Sequence, residues 1–468
     1  MALTFETQGD QFWDLELIRK YDLTGPRYTS YPTAPQFDGN YSEQDWQQAS
    51  DSVLNRSQRI SLYLHIPFCD TICYYCGCSK IVTANRSHAA KYLNYLKKEI
   101  ALKAKRIPDY AEVEQIHFGG GTPTYLDDEQ LQALMLFIAE QFRFASDNFE
   151  CAIEIHPQSV DGQRLEHLKN IGFNRLSLGL QDFNPEVQQA VNRFNSKQEV
   201  QALIKKAREL EFNSISVDLI YGLPKQSASS FQQTLDEVIE LSPDRLSLFN
   251  YAHMPHLFKS QKQINASELP EPQEKLEILH NSINQLCSNG YRYIGMDHFA
   301  KNSDALSLAQ LDGSMQRNFQ GYATHNNGVL HAFGLSAISS LGEHYAQNVK
   351  LLDRYYGALD AGTLPLDKGY DLNRDDLIRR DVINTLLCQF KLDFMQLKQN
   401  FGIDFHEYFS DALPALHELH SDGLIVLRDN NLEILDAGRL LARSVCKLFD
   451  QYIAKRSAAD QNRYSRII

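Results

Sequence analysis

The 468-residue chain has no run of eighteen apolar residues, so no segment reads as a membrane-spanning helix. Its opening, MALTFETQGDQFWDLELIRK, lacks the apolar centre of a secretory signal. Basic residues are in deficit, 46 Lys and Arg against 59 Asp and Glu, for a net charge of −13. That balance argues against a broad nucleic-acid-binding surface. It leaves room for a locally positive pocket on an acidic protein. Short-period repeats and low-complexity tracts are missing too. Of the eight cysteines, Cys151, Cys287, Cys388 and Cys446 stand alone and read as small buried apolar residues. The other four crowd together, a usage that fits the reducing cytoplasm, where clustered thiols bind metal or do redox chemistry.

Hydrophobic residues make up 43% and charged residues 22%, the balance of a folded globular protein. Six apolar runs of strand type recur: SLYLHI (61–66), VEQIHF (113–118), CAIEI (151–155), RLSLGL (175–180), SISVDLI (214–220) and RLSLFN (245–250). Amphipathic helical segments lie between them, such as KQEVQALIKKAREL (197–210). Six strand-then-helix units predict an α/β fold with a parallel sheet and helices outside. Right-handed crossovers in sequence curl such a sheet into a partial (β/α)6 barrel, with the chemistry at the strand ends. A doubly wound open sheet is the alternative.

The expected organisation is an N-terminal arm (1–54), a catalytic domain (55–355) and a smaller, mainly helical, winged-helix-like domain (356–468). In the last, LIVLRD and NLEILD read as a hairpin, with a final helix from Ala437. DNA binding by this domain is disfavoured by the acidic balance. The stretch TGPRYTSYPTAPQFDG (24–39) has three prolines and two glycines, which disfavour helix and strand interiors. It is either a surface-draped arm or a segment over the active site supplying Arg27, Tyr28 and Tyr31.

The crowded cysteines read Cys69-x3-Cys73-x2-Cys76-Gly77-Cys78, directly after the first strand. A cubane iron–sulfur cluster normally takes four cysteine ligands. Three from one loop leave one iron open for the amino and carboxylate groups of S-adenosylmethionine. A four-cysteine zinc site is the alternative, but zinc ligands usually come as two separated pairs. Cys78 then stays beside the site as a non-ligand. Three glycines in HFGGGTP (117–123) let backbone approach a ligand closely. Glu154, near the end of the third strand, can accept hydrogen bonds from ribose or ammonium. Asp218 shares a face with Ser216 and Ile220, and a charge there needs a partner, either Arg193 or a ribose.

The C-x3-C-x2-C loop resembles the signature of the radical S-adenosylmethionine superfamily. The segments TGPRYTSYPTAPQF, SLYLHIPFCDTICYYCGCSKIVT, HFGGGTPTYL, RLSLGLQDFN, DLIYGLPKQ, RLSLFNYAHMP, GMDHFA and RNFQGYATH look like the oxygen-independent coproporphyrinogen III oxidase family. The similarity runs from about Tyr21 to the terminal YSRII. It implies a [4Fe–4S] cluster on Cys69, Cys73 and Cys76, and two S-adenosylmethionine molecules. Tyr63, Tyr75, Gly120, Gly121, Thr122, Glu154, Gln181, Arg193, Asp218, Ala252 and Ile338 are their implied contacts. Tyr63, Cys78 and Arg27 are the implied catalytic group. His156 stands where members usually have Asp.

The resemblance implies coproporphyrinogen III as substrate, with Arg27, Lys80, Lys225, Arg317 and Arg379 as candidate propionate binders. It also implies a low-potential electron donor, a cytoplasmic location and a monomer. A related family of heme-binding chaperones shares the cluster motif but lacks the YTSYPTA arm and the fourth cysteine, both present here. Related methyl-transfer or cyclopropanation enzymes are a third reading, which the arm disfavours.

Overall fold

The computed structural model describes residues 12–22, 24–39, 41–54, 57–324 and 328–454. Residues 1–11 of the arm and the YSRII end lie outside them. Six strands form one half of the sheet: β1 (Arg59–Ile66), β2 (Glu112–Gly120), β3 (Glu150–Ile155), β4 (Arg175–Gln181), β5 (Ser214–Tyr221) and β6 (Arg245–Asn250). Each holds one of the six apolar runs. They pair in chain order, all parallel. Helices α1 (Ser87–Ala104), α2 (Asp128–Gln141), α3 (Gly162–Asn170), α4 (Lys197–Glu209) and α5 (Ala228–Leu241) connect them. A sequential order means every right-handed crossover steps the same way, so the helices share one face and the sheet curls. A doubly wound sheet reverses direction partway; this one does not.

Local chemistry sets the elements. Ser196 and Glu199 form a reciprocal cap at the start of α4, and Val200, Leu203, Ile204 and Ala207 make its buried stripe. Burying each of the three larger side chains contributes about 1.5–3 kcal/mol. In β5 the alternation is strict: Ile215, Val217 and Leu219 are buried under the helices, while Ser216, Asp218 and Ile220 are half-buried on the inner face.

The sheet continues past both edges of the six. Beyond β6 lie β7 (Tyr291–Gly295) and β8 (His298–Lys301), with β8 antiparallel to both β6 and β7. Beyond β1 come β9 (Val329–Phe333), parallel, then antiparallel β10 (Ile338–Leu341), β11 (His344–Asn348) and β12 (Leu366–Asp371). Helix α1 is anchored to this extension by a fully buried ion pair, Glu99 to Lys103 at 2.6 Å. Glu99 also accepts from Asn348, the Gly334 N–H and Tyr355.

A second core forms from Ile378 onward. The helices Arg374–Gln389, Phe394–Phe401 and Leu413–Ser421 make this part mainly helical, as expected. The expected hairpin, Ile425–Leu427 with Asn431–Ile434, gains a third strand, Lys391–Asp393. Three residues are too short to show an alternation. The final helix is broken into Asp436–Arg439, Ala442–Lys447 and Gln451–Ala454. The Asp450 carboxylate accepts from the backbone N–H of Tyr452 and Ile453, restarting the helix there.

The arm is not draped on the surface. Tyr28 and Tyr31 are each 1% exposed and belong to the second core. Tyr28 donates to Asp450, and the Tyr31 carbonyl accepts from Tyr345. The helix Glu43–Leu54 then buries Trp46, Ala49 and Val53 in the main core.

Candidate active site

The cysteine loop leaves β1 at its C-terminal end. Phe68–Cys69 pairs in parallel with Ile81–Val82, closing a loop that carries Cys73, Cys76 and Cys78. Segments following β4 and β6 clamp it. Tyr74 N–H donates to the Val191 carbonyl at 3.0 Å, and Asn192 Nδ2 to the Ile72 carbonyl at 2.8 Å. Gln261 Nε2 reaches the Tyr75 carbonyl, and Ser260 the Cys76 carbonyl. The Phe258 ring covers Gly77, where an added Cβ would lie 3.1 Å from it.

All four cysteines are free thiols. The Cys78 thiol donates to Cys76; burial opposes this, while Lys80 and the Cys78 N–H assist, and Cys76 is brought down to about 5. Cys78 is raised well above its ordinary value by the same bond. Burial pushes Cys69 up to about 11, partly offset by the Thr122 hydroxyl. Arg193 Nη1 lies 3.8 Å from the Cys73 sulfur. A hydroxyl from Thr122, a guanidinium from Arg193 and the Cys78 thiol thus lie against the sulfurs of Cys69, Cys73 and Cys76, whereas Cys78 is turned as a donor. A single zinc ion needs ligands converging on one point; among the described residues no three His, Cys, Asp or Glu side chains do so. In a cubane each thiolate takes its own iron, and this donor set fits one.

The strand register brings a polar row onto the inner face. Tyr63 pairs with His117, Glu154 with Ser177, and Asp218 with Ser247. Tyr63 lies stacked on His117, ring centroids 5.9 Å apart. Its hydroxyl is 3.1 Å from His65 Nδ1. His65 Nε2 is 2.9 Å from the Ser79 carbonyl, so it tethers the cysteine loop to β1. Burial keeps His65 neutral by lowering it. Burial would raise Glu154, but hydrogen bonds from His117 and the Gly120 N–H hold it below the usual range. Burial raises Asp218 to about 6 against hydrogen bonds from Ser247 and Ser177.

Asp218 therefore has serine partners. Arg193 does not pair with it: Arg193 donates to the Gly179 carbonyl and reaches Cys73. A Cβ on Gly179 would lie 2.9 Å from Arg193 Nη2, so a side chain there would displace the guanidinium. Arg193 Nε and Gln181 Oε1 are buried without a hydrogen-bond partner. Gln181 sits at a strand irregularity with φ 74°. Tyr75, raised well above its ordinary value by burial, packs with Val187, Val191 and Tyr251.

The glycine turn has a protein reason as well as any ligand reason. A Cβ on Gly121 would lie 2.7 Å from the Pro67 carbonyl oxygen, and one on Gly119 2.7 Å from Glu154. Gly120 has φ 122°. Thr122 N–H donates to the Phe68 carbonyl, pinning the turn to the cysteine loop. The Ala252 carbonyl accepts from Gln261, the same amide that holds Tyr75. Ile338 opens β10 and packs with Phe37 and Phe319. His156 caps the turn after β3, and burial lowers it to about 3.

The basic candidates divide. Arg27 pairs with Asp297, and Arg317 donates to the Arg27 carbonyl, so these two meet. Lys80 donates to the Cys76 carbonyl at 3.0 Å. Lys225 is exposed. Arg379 is engaged with Asp375 and the Phe449 carbonyl. The sequence reading missed His65, His117, Asp297 and Arg443. The strand alternation that places Tyr63 also places His65 and His117. Asp297 lies in the GMDHFA segment but was not singled out there, and Arg443 carries no local signal.

With this geometry in view, comparisons place the chain. Residues 63–238 match the radical SAM superfamily, and residues 372–441 match the HemN C-terminal domain. The protein is thus of the radical SAM class. Oxygen-independent coproporphyrinogen III oxidase of Pseudomonas aeruginosa is 48% identical over 457 residues, covering 97% of this chain and 99% of that one. The Escherichia coli K12 protein of the same name is 47% identical, covering 97% and 98%. The structure described as coproporphyrinogen III oxidase (HemN) from Escherichia coli, a radical SAM enzyme, superposes with a TM-score of 0.90. It is 46% identical and covers 94% of this chain and 100% of that one. The chain belongs to the oxygen-independent coproporphyrinogen III oxidase family.

Proposed function

We propose that the chain converts coproporphyrinogen III to protoporphyrinogen IX without oxygen, turning two propionates into vinyl groups. Each conversion removes one hydrogen atom, one CO2 and one electron from a propionate. One observation carries the reading. The three-thiol loop sits at the C-terminal mouth of a barrel whose inner wall presents Glu154, Asp218, Gln181 and Arg193. The naming of the relatives supports the substrate.

Cys69, Cys73 and Cys76 hold a [4Fe–4S] cluster, which when bound supplies the electron that opens S-adenosylmethionine for hydrogen abstraction. The chain's residues bind and orient. Ionised Glu154 accepts from cofactor hydroxyls or ammonium, and Gly120, Gly121 and Thr122 offer backbone beside it. The unpartnered Gln181 Oε1 and Arg193 Nε are open to a second S-adenosylmethionine, along with Asp218, Ala252 and Ile338. Tyr63 and Tyr75 wall the cofactor. Cys78 keeps its own proton, directed as an S–H donor at the Cys76 sulfur, and Arg27 faces the substrate. We place the protein in the cytoplasm as a monomer served by a low-potential electron donor. Among the described residues no helix is long and apolar enough to cross a membrane.

Anaerobic incubation with dithionite, S-adenosylmethionine and coproporphyrinogen III tests the reading by mass spectrometry. Loss of two CO2 per porphyrinogen is expected, and none from Cys69→Ser. Protoporphyrinogen IX formed by that variant would refute the assignment.

A further inference from the structure

A group of arginines meets where the arm crosses the C-terminal end of β6. The Arg27 guanidinium carbon lies 5.9 Å from the Phe249 ring centroid. Phe249 is in register with Ile220, two residues past Asp218 on the inner face, so Arg27 stands at the mouth of the barrel. Arg317 lies behind it. Arg317 Nη2 donates to the Arg27 carbonyl at 3.2 Å, and its guanidinium carbon is 4.8 Å from the Tyr322 ring centroid. Arg317 is only 8% exposed, and its Nε and Nη1 have no hydrogen-bond partner. Arg443 approaches from the second core, reaching the Gly25 carbonyl at 3.4 Å. Burial, with the charges of Arg27 and Arg317, lowers it to about 10. Asp297 pairs with Arg27 and also lies close enough to favour the charge on Arg443.

Side chains join this group to the cofactor wall. Asp218 is hydrogen-bonded to Ser247. Ser247 Oγ is 3.3 Å from His298 Nδ1, and the His298 ring is 5.3 Å from that of Tyr322.

A guanidinium enclosed with unused donors is costly to keep. A structural arginine at this depth would have its fork filled by carbonyls or a carboxylate. The planar fork matches a carboxylate in both shape and charge. We propose that Arg27 and Arg317, backed by Arg443, form the receptor for a propionate carboxylate of the substrate on the β6 side of the barrel mouth. The assignment rests on the function proposed above and names the residues that would select its substrate as an acid.

The test compares coproporphyrin III, a stable four-carboxylate porphyrin, with its tetramethyl ester. Fluorescence quenching reads their binding to the reconstituted wild type, Arg317→Gln, Arg317→Lys and Arg27→Gln. At least about tenfold weaker binding of the acid by Arg317→Gln is expected, with partial recovery in Arg317→Lys and no change for the ester. The melting temperature of Arg317→Gln without porphyrin should equal or exceed that of the wild type. Wild-type affinity for the acid in both glutamine variants, or loss of acid and ester binding together with a lowered melting temperature, overturns the receptor. Wild-type turnover of coproporphyrinogen III is scored separately. Its absence, with Arg317-dependent acid binding intact, overturns the function and keeps the receptor. Turnover with unchanged binding in the variants does the reverse, and a wild type that neither binds nor turns over overturns both.

Discussion

The hydroxyl of Thr122 donates to the sulfur of Cys69 across 3.5 Å. Thr122 ends the glycine turn after β2, so this bond joins the two strand ends that face the cluster position. Groups that orient metal ligands typically govern affinity by ten- to a hundredfold. Thr122→Val keeps the shape and removes the donor. Iron in the reconstituted variant should yield to a competing chelator at about tenfold lower concentration, with Thr122→Ser near wild type. Equal resistance in all three would show the bond to be idle.

Asp218 binds its proton more tightly folded than unfolded, since burial raises it from 3.8 to about 6. The folded state therefore carries more protons between those values, and stability falls as pH rises through that window. Each unit is worth about 1.4 kcal/mol, so the charged carboxylate costs on the order of 3 kcal/mol above pH 6. Asp218→Asn should be more stable than wild type in urea at pH 8. The gap should close as pH falls below 6 toward 4, and a constant gap would contradict the assignment.

Glu99 and Lys103 are both fully buried, so removing one partner leaves the other's charge enclosed. Glu99→Gln should cost about 3–5 kcal/mol in urea unfolding. The double variant Glu99→Gln/Lys103→Met should lose less than the sum of the single losses. Glu99 also holds Gly334, and the hydroxyl of nearby Ser336 bonds Ser79 at 2.9 Å. The single variant should therefore also release iron faster than wild type, measured by the same chelator competition.

Two glycines make a matched pair. Gly121→Ala would press a methyl group against the carbonyl oxygens of Pro67 and Phe68, 2.7 and 2.8 Å away. Backbone cannot step aside as a side chain can, and the cost should be about 1–3 kcal/mol. Gly357 lies inside the helix Leu352–Asp360 with nothing within 4 Å of an added Cβ. Gly357→Ala should gain about 0.5–1 kcal/mol. Melting temperatures moving in opposite directions are the expected result.

The barrel was legible because its signals are local and repeated. Each of the six runs is apolar enough to be a strand, and helical periods separate them. The cysteine loop was legible because its cysteines are close in sequence. Lys391–Asp393 was not, being three residues whose pairing depends on a strand some forty positions later. Of the two partners the sequence offered Asp218, Arg193 is engaged elsewhere, and two serines, themselves unremarkable in sequence, bond the carboxylate. The glycine turn shows a subtler limit. Its residues suggested a ligand, and their nearest neighbours here are the backbone of β1's exit and Glu154.

Tyr28 and Asp450 are hydrogen-bonded across 422 positions of chain. A ribosome emits the first of them long before the second. Arg27 finds Asp297 and Arg317 earlier, but the Tyr28 hydroxyl has no partner until almost the last residue is made. A chain cut short by a premature stop in the final domain would lack Asp450 and leave the buried Tyr28 hydroxyl without that acceptor. Synthesis itself thus schedules the final seating of the arm as the closing act of assembly.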